Sequence, residues 1–131
     1  MLEKGLIQVY TGNGKGKTTA ALGLAIRAAG HGMKVKIVQF MKGNTNYGEL
    51  TSLSRFPEIV VYQFGTLDFV HTGKEQQVDY DEAEAALKMA RELIADNSTD
   101  ILILDEVNVA LYFKLLKAED VIELIKNKPE N

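Results

Sequence analysis

Apolar residues in this chain occur in short runs separated by polar turns, and two periods alternate along it. Leu6 to Tyr10, Val35 to Phe40, Ile59 to Phe64 and Ile101 to Leu104 are brief, β-prone and flanked by turn-forming residues. Runs of this kind predict buried strands. Lys17 to about Ala29 is rich in Ala and Leu and free of proline, which predicts a helix stopped by Gly30 and Gly32. Asp79 and Glu82 have the spacing of a capping box, and Ala83, Ala86, Leu87, Ala90, Leu93 and Ile94 follow at helical spacing to about Ala95. Ala118 to Asn127 reads as an amphipathic helix built on Val121, Ile122, Leu124 and Ile125. Shorter helical turns are expected at Glu49 to Ser54 and within Val107 to Leu116. Met41 to Gly48 reads as a polar loop, and Gly65 to Val78 as irregular chain.

Strands alternating with helices predict an α/β fold with a mainly parallel sheet. Strands that are mostly apolar, and wholly so at Ile101 to Leu104, fit a sheet covered by helices on both faces. The 131 residues form one expected domain, 1–131, without repeats or a linker. A turn at Lys128-Pro129 after the last helix would normally feed another strand, so the sheet is expected to lack its last strand.

Composition narrows the chemistry. A net charge of −3 gives no general field for nucleic acid, so phosphates must be held by local groups. The absence of cysteine excludes disulfides, thiolate metal sites and cysteine nucleophiles. No apolar run is long enough to span a bilayer, and no signal peptide pattern is visible. The cytoplasm is the expected location, with no membrane partner.

The densest chemical signal is Gly12-Asn13-Gly14-Lys15-Gly16-Lys17-Thr18-Thr19. Gly16-Lys17-Thr18 ends a phosphate-loop pattern, but Thr11 holds the leading glycine position and Gly12 comes one place later. Glycines at 12, 14 and 16 let the backbone curl around an anion, at the expected start of a helix. Lys17 would reach the phosphates, and the Thr18 hydroxyl would ligate magnesium. Lys15 could neutralise phosphate or remain solvated. The second signal is Asp105-Glu106, placed at the end of an apolar strand where P-loop proteins hold magnesium. The same pattern also describes an acidic helix cap after a buried strand. His31 and His71 lack the spacing of a metal pair.

Thr11 to Ala21 resembles the phosphate loop of the ATP:corrinoid adenosyltransferases, including the displaced glycine. The likeness continues through Arg27-Ala28-Ala29-Gly30-His31-Gly32, Val38-Gln39-Phe40-Met41-Lys42-Gly43 and Tyr47-Gly48-Glu49. Leu104-Asp105-Glu106 with Asn108 and Ala110, and Lys128-Pro129, fit later family motifs. Members usually continue with a further strand and a Thr-Gly-Arg-type motif.

This resemblance implies a P-loop fold and an activity: transfer of the 5′-deoxyadenosyl group of ATP to Co(I) of a reduced corrinoid, with release of triphosphate. It implies Lys17 and Glu106 as catalytic residues. Residues 12 to 19 would bind ATP, and Thr18, Asp105 and Glu106 would hold Mg2+. It also implies a reduced flavoprotein as electron donor and a homodimer. Phe64 and Phe69 are candidates for excluding the lower corrinoid ligand, with core packing as the competing role. Two other classes share the loop: a nucleoside or other small-molecule kinase, and a nucleotide-binding module without chemistry.

Overall fold

A computed structural model describes residues 3–44, 46–66 and 73–131. Its elements run α1 (Lys17–Ala29), β1 (Val35–Gln39), α2 (Gly48–Leu53), β2 (Ile59–Gln63), α3 (Gln77–Asp96), β3 (Ile101–Asp105), α4 (Val107–Tyr112) and α5 (Ala118–Lys126). The three strands are parallel and ordered β2-β1-β3. The α/β fold and parallel sheet expected from the sequence are therefore present.

Strand side chains alternate between faces, and here that alternation divides the interior in two. Val35, Ile37, Ile59, Val61, Ile101 and Ile103 pack with Ala25, Ala28 and Ala29 of α1. Alanines at this i, i+3, i+4 spacing give α1 a narrow face that can lie close to the sheet. Val38, Phe40, Tyr62, Phe64, Leu102 and Leu104 pack on the other face, against Ala83, Leu87 and Ala90 of α3 and Val121 and Leu124 of α5. Each strand contributes apolar side chains to both cores.

The first expected strand is not formed. Leu6 to Tyr10 has no strand assignment, and Leu6 and Val9 are 73% and 67% exposed. A β-prone run becomes a strand only where an edge and an apolar face receive it. Among the described residues β3 pairs with β1 alone, which leaves its other edge open. Ile101 to Leu104 are consequently only half-buried, whereas Val35, Ile37 and Val38 of the central strand are fully buried.

The capping box of α3 also lies one turn earlier than its sequence spacing suggested. Gln76, not Asp79, is the cap, and Asp79 occupies the third helical position. The Asp79 carboxylate accepts a hydrogen bond from the Gln76 backbone N–H at 2.8 Å. Phe69 and His71 lie outside the described residues. No helix among the described residues is long and apolar enough to cross a membrane.

The loops after β1 and β2 touch backbone to backbone. Lys42 N–H donates to the Phe64 carbonyl at 3.0 Å. A Cβ at Gly65, whose φ is +144°, would stand 2.6 Å from Lys42 N, and one at Gly43 would stand 2.5 Å from the Gly65 carbonyl oxygen. Neither position can take a side chain without moving the loop that carries Lys42. Gly65→Ala is expected to destabilise the fold by about 1–3 kcal/mol, as overpacking does, read as a lower urea midpoint at an unchanged slope.

Candidate active site

The topology chooses where a ligand can sit. From β1 the chain passes to β2 on one side, and then returns to β3 on the other. Open α/β sheets bind ligands beyond the carboxyl ends of the strands at such a switch point. Gln39 and Asp105 are register partners at those ends. Both continue the series of side chains that faces α1. Strand parity therefore aims two polar groups at the start of that helix.

Asp105 is the centre of what they meet. Its Oδ1 accepts a hydrogen bond from the Thr18 hydroxyl at 2.9 Å, across 87 positions of sequence. Its Oδ2 accepts from the Lys42 ammonium at 2.5 Å and from the Gln39 side-chain amide at 3.3 Å. The carboxylate side chain is 7% exposed and that of Lys42 13%. The Lys42 ammonium also lies 3.4 Å from Thr18 Oγ1 and 5.9 Å from the centre of the Tyr47 ring. Gln39 is fully buried, and its Oε1 has no hydrogen-bond partner among the described residues.

The glycine loop stands beside this cluster. Residues 11 to 16 are exposed, and Gly12 and Gly16 adopt φ of +137° and +106°, which other residues rarely tolerate. Gly16 caps α1 without any side-chain hydrogen bond, leaving the first helical N–H groups to other acceptors. The Lys17 ammonium curls back over the loop and donates to the carbonyls of Gly12 at 2.7 Å and Gly14 at 2.6 Å. Asn13, Lys15 and Thr19 are exposed on the same loop and first turn.

Glu106 follows Asp105 and caps α4 with φ of +67°. A non-glycine residue in that region is strained, and such strain gathers at functional sites. Met41, just before Lys42, has φ of +61°. The turns after β1 and β3 thus both bend through the left-handed region where they meet the cluster.

The structure brings Thr18 and Asp105 together, with Glu106 adjacent in the chain and Lys17 on the neighbouring loop. Sequence reasoning assigned no role to Gln39 or Lys42. Their signal was a polar residue at the end of a strand and a lysine three positions later, and only the strand register shows where they point. Phe64 is half-buried and packs against the core, as ordinary packing requires.

The donor set suits a hard cation: a hydroxyl, carboxylates and an unpaired amide oxygen. No group of three or more His, Cys, Asp or Glu side chains suited to a metal ion occurs among the described residues. Phosphate oxygens and water would have to complete the shell, which is how magnesium is commonly held with nucleotides.

The sequence profile of the ATP:corrinoid adenosyltransferase BtuR/CobO/CobP family matches residues 3–131. The chain belongs to this family. It is 42% identical over 127 residues to a corrinoid adenosyltransferase of Pseudomonas aeruginosa, covering 97% of the chain and 63% of that protein. Corrinoid adenosyltransferases of Escherichia coli and Salmonella typhimurium are 39% and 38% identical, again over 97% of the chain and 64% of each relative. The chain thus spans just under two-thirds of the length of these curated relatives.

The backbone at Glu106 offers a direct test of strain. Glu106→Gly is expected to raise stability by about 0.5–1 kcal/mol, the relief of a left-handed residue less the added freedom of the unfolded chain. Urea denaturation reads this as a higher midpoint.

Proposed function

We propose that this chain transfers the 5′-deoxyadenosyl group of ATP to the cobalt of a reduced corrinoid, releasing triphosphate. The observation that carries the proposal is the Thr18–Asp105 hydrogen bond of 2.9 Å beside the glycine loop, in a chain of this family. The Co(I) electron pair forms the Co–C5′ bond. The C5′–O bond breaks, and its electron pair leaves on the triphosphate. No protein nucleophile is required, because the corrinoid carries the difficult chemistry.

The residues at hand suit the side of this reaction on which charge grows. Loop N–H groups from Gly12 to Thr19 and the first turn of α1 would cradle the triphosphate. The Lys17 ammonium already faces oxygen atoms, the carbonyls of Gly12 and Gly14. Exchanging them for phosphate oxygens pairs the ammonium with a negatively charged acceptor, a stronger contact. Thr18, Asp105 and Glu106 would hold magnesium, which when bound supplies further positive charge to the leaving group.

The displaced glycine at Thr11 fits this assignment. A hydrolase or kinase exposes the γ-phosphate, whereas here C5′ must face the corrinoid while all three phosphates stay gripped. The reading carries with it a reduced flavoprotein as electron donor and a homodimer, both expectations of the family, and the cytoplasmic setting expected from the sequence.

Product analysis decides the activity. The full chain, incubated with ATP, magnesium and chemically reduced corrinoid, is expected to yield triphosphate and a light-sensitive Co–C bond in equal amounts. ADP with a phosphorylated acceptor would establish a kinase instead, and binding without products a module. Lys17→Ala is expected to abolish product formation, and an active variant would overturn the site assignment.

A further inference from the structure

The two oxygens assigned to magnesium are already in contact with a cation. Lys42 Nζ lies 2.5 Å from Asp105 Oδ2 and 3.4 Å from Thr18 Oγ1, and Thr18 itself is bonded to Asp105. This ammonium is held from several sides. Its side chain is largely buried, its backbone N–H is fixed to Phe64, and the Tyr47 ring stands 5.9 Å away. Its loop is seated against Gly65, where no side chain fits.

We propose that Lys42 is a tethered resident cation that competes with the divalent metal for Asp105, so that metal enters the site together with the triphosphate and not ahead of it. The inference rests on the reading that Thr18 and Asp105 receive magnesium. The charge balance gives its reason. In the nucleotide-free chain Lys42 neutralises Asp105. A divalent ion arriving alone would meet an ammonium on the same carboxylate, and like charges so close repel strongly in a partly buried site. The triphosphate reverses that balance by bringing several negative charges. The displaced ammonium would then have phosphate oxygens to pair with, and Asp105 would be left free to hold the metal. Lys42 in this account is a positioning residue that orders the arrival of metal and nucleotide.

The competition predicts a gain of function on removing a side chain, which structural damage would not produce. The test titrates Mn2+, a spectroscopic substitute for magnesium, into the full nucleotide-free chain and follows free Mn2+ by electron paramagnetic resonance. Lys42→Met and, as a second variant with a polar side chain, Lys42→Gln are each expected to bind Mn2+ about tenfold more tightly than the native chain, a coupling of ordinary size. Circular dichroism identifies the variants that retain the fold. The gain is expected to vanish when Asp105→Asn is added. Unchanged or weaker Mn2+ binding in a folded Lys42 variant overturns the proposal, as does a gain that survives Asp105→Asn. A separate arm with ATP present tests the underlying metal assignment. There Asp105→Asn in the native background is expected to release Mn2+ from the complex, and Mn2+ binding indifferent to that change would remove the assignment itself.

Discussion

The structure of this site depends on one buried carboxylate. Asp105 cannot be placed at the end of β3 with 8% exposure unless its charge is met, because an unpaired buried charge is far more costly than a paired one. It is met by Lys42 from the loop after β1, by Gln39 from the end of β1, and by Thr18 from the first turn of α1. They come from two separate pieces of chain, the end of β1 with its following turn and the start of α1. Removing one partner of such an ion pair typically costs about 3–5 kcal/mol when both are buried, and somewhat less here because Lys42 retains contact with solvent. The same carboxylate that binds the elements together therefore sets the electrostatics of the glycine loop's surroundings.

The rest of the fold serves to hold those three partners at their distances. Alternation along each strand sends one set of side chains to α1 and the other to α3 and α5, and Gln39 and Asp105 share the α1 set. Alanines on α1 leave its buried face without bulk, and Thr18 stands in its first turn, where it reaches the carboxylate. The close backbone contact at Gly65 fixes the loop that delivers Lys42. Left-handed backbone at Met41 and Glu106 marks where the chain must turn sharply as it leaves β1 and β3. Strain of this kind persists only where surrounding packing over-determines it.

Much of this was legible in the sequence, for identifiable reasons. The bounds of α1 follow from an Ala-rich run without proline, and Gly32, with φ of +76°, sits just past its end. Thr18 and Asp105 carry signals that are local: a glycine loop entering a helix, and a carboxylate closing an apolar strand. The roles of Gln39 and Lys42 were not legible, because they depend on strand register and on a turn, which no short motif encodes. Leu6 to Tyr10 misled because β-propensity describes a side chain's fit to a pleated surface, and says nothing of whether an edge receives it. The α3 cap shifted because Gln76/Asp79 and Asp79/Glu82 share the same three-residue spacing, and glutamine ranks low among expected caps.

Membership of the ATP:corrinoid adenosyltransferase family and this geometry meet in one chemical idea. A loop that would grip a whole triphosphate as leaving group needs cationic partners: Lys17 lies on the loop itself, Lys42 lies 3.4 Å from Thr18 Oγ1, and Asp105 is the carboxylate proposed to receive a metal. The crystal structure of the full chain with magnesium and ATP tests this most directly. The account predicts all three phosphates within the loop of residues 12 to 18, magnesium touching Thr18 and the Asp105–Glu106 pair, and C5′ open to an incoming corrinoid. A complex with C5′ buried, the γ-phosphate open to solvent, or the metal away from Asp105 and Glu106 would contradict it.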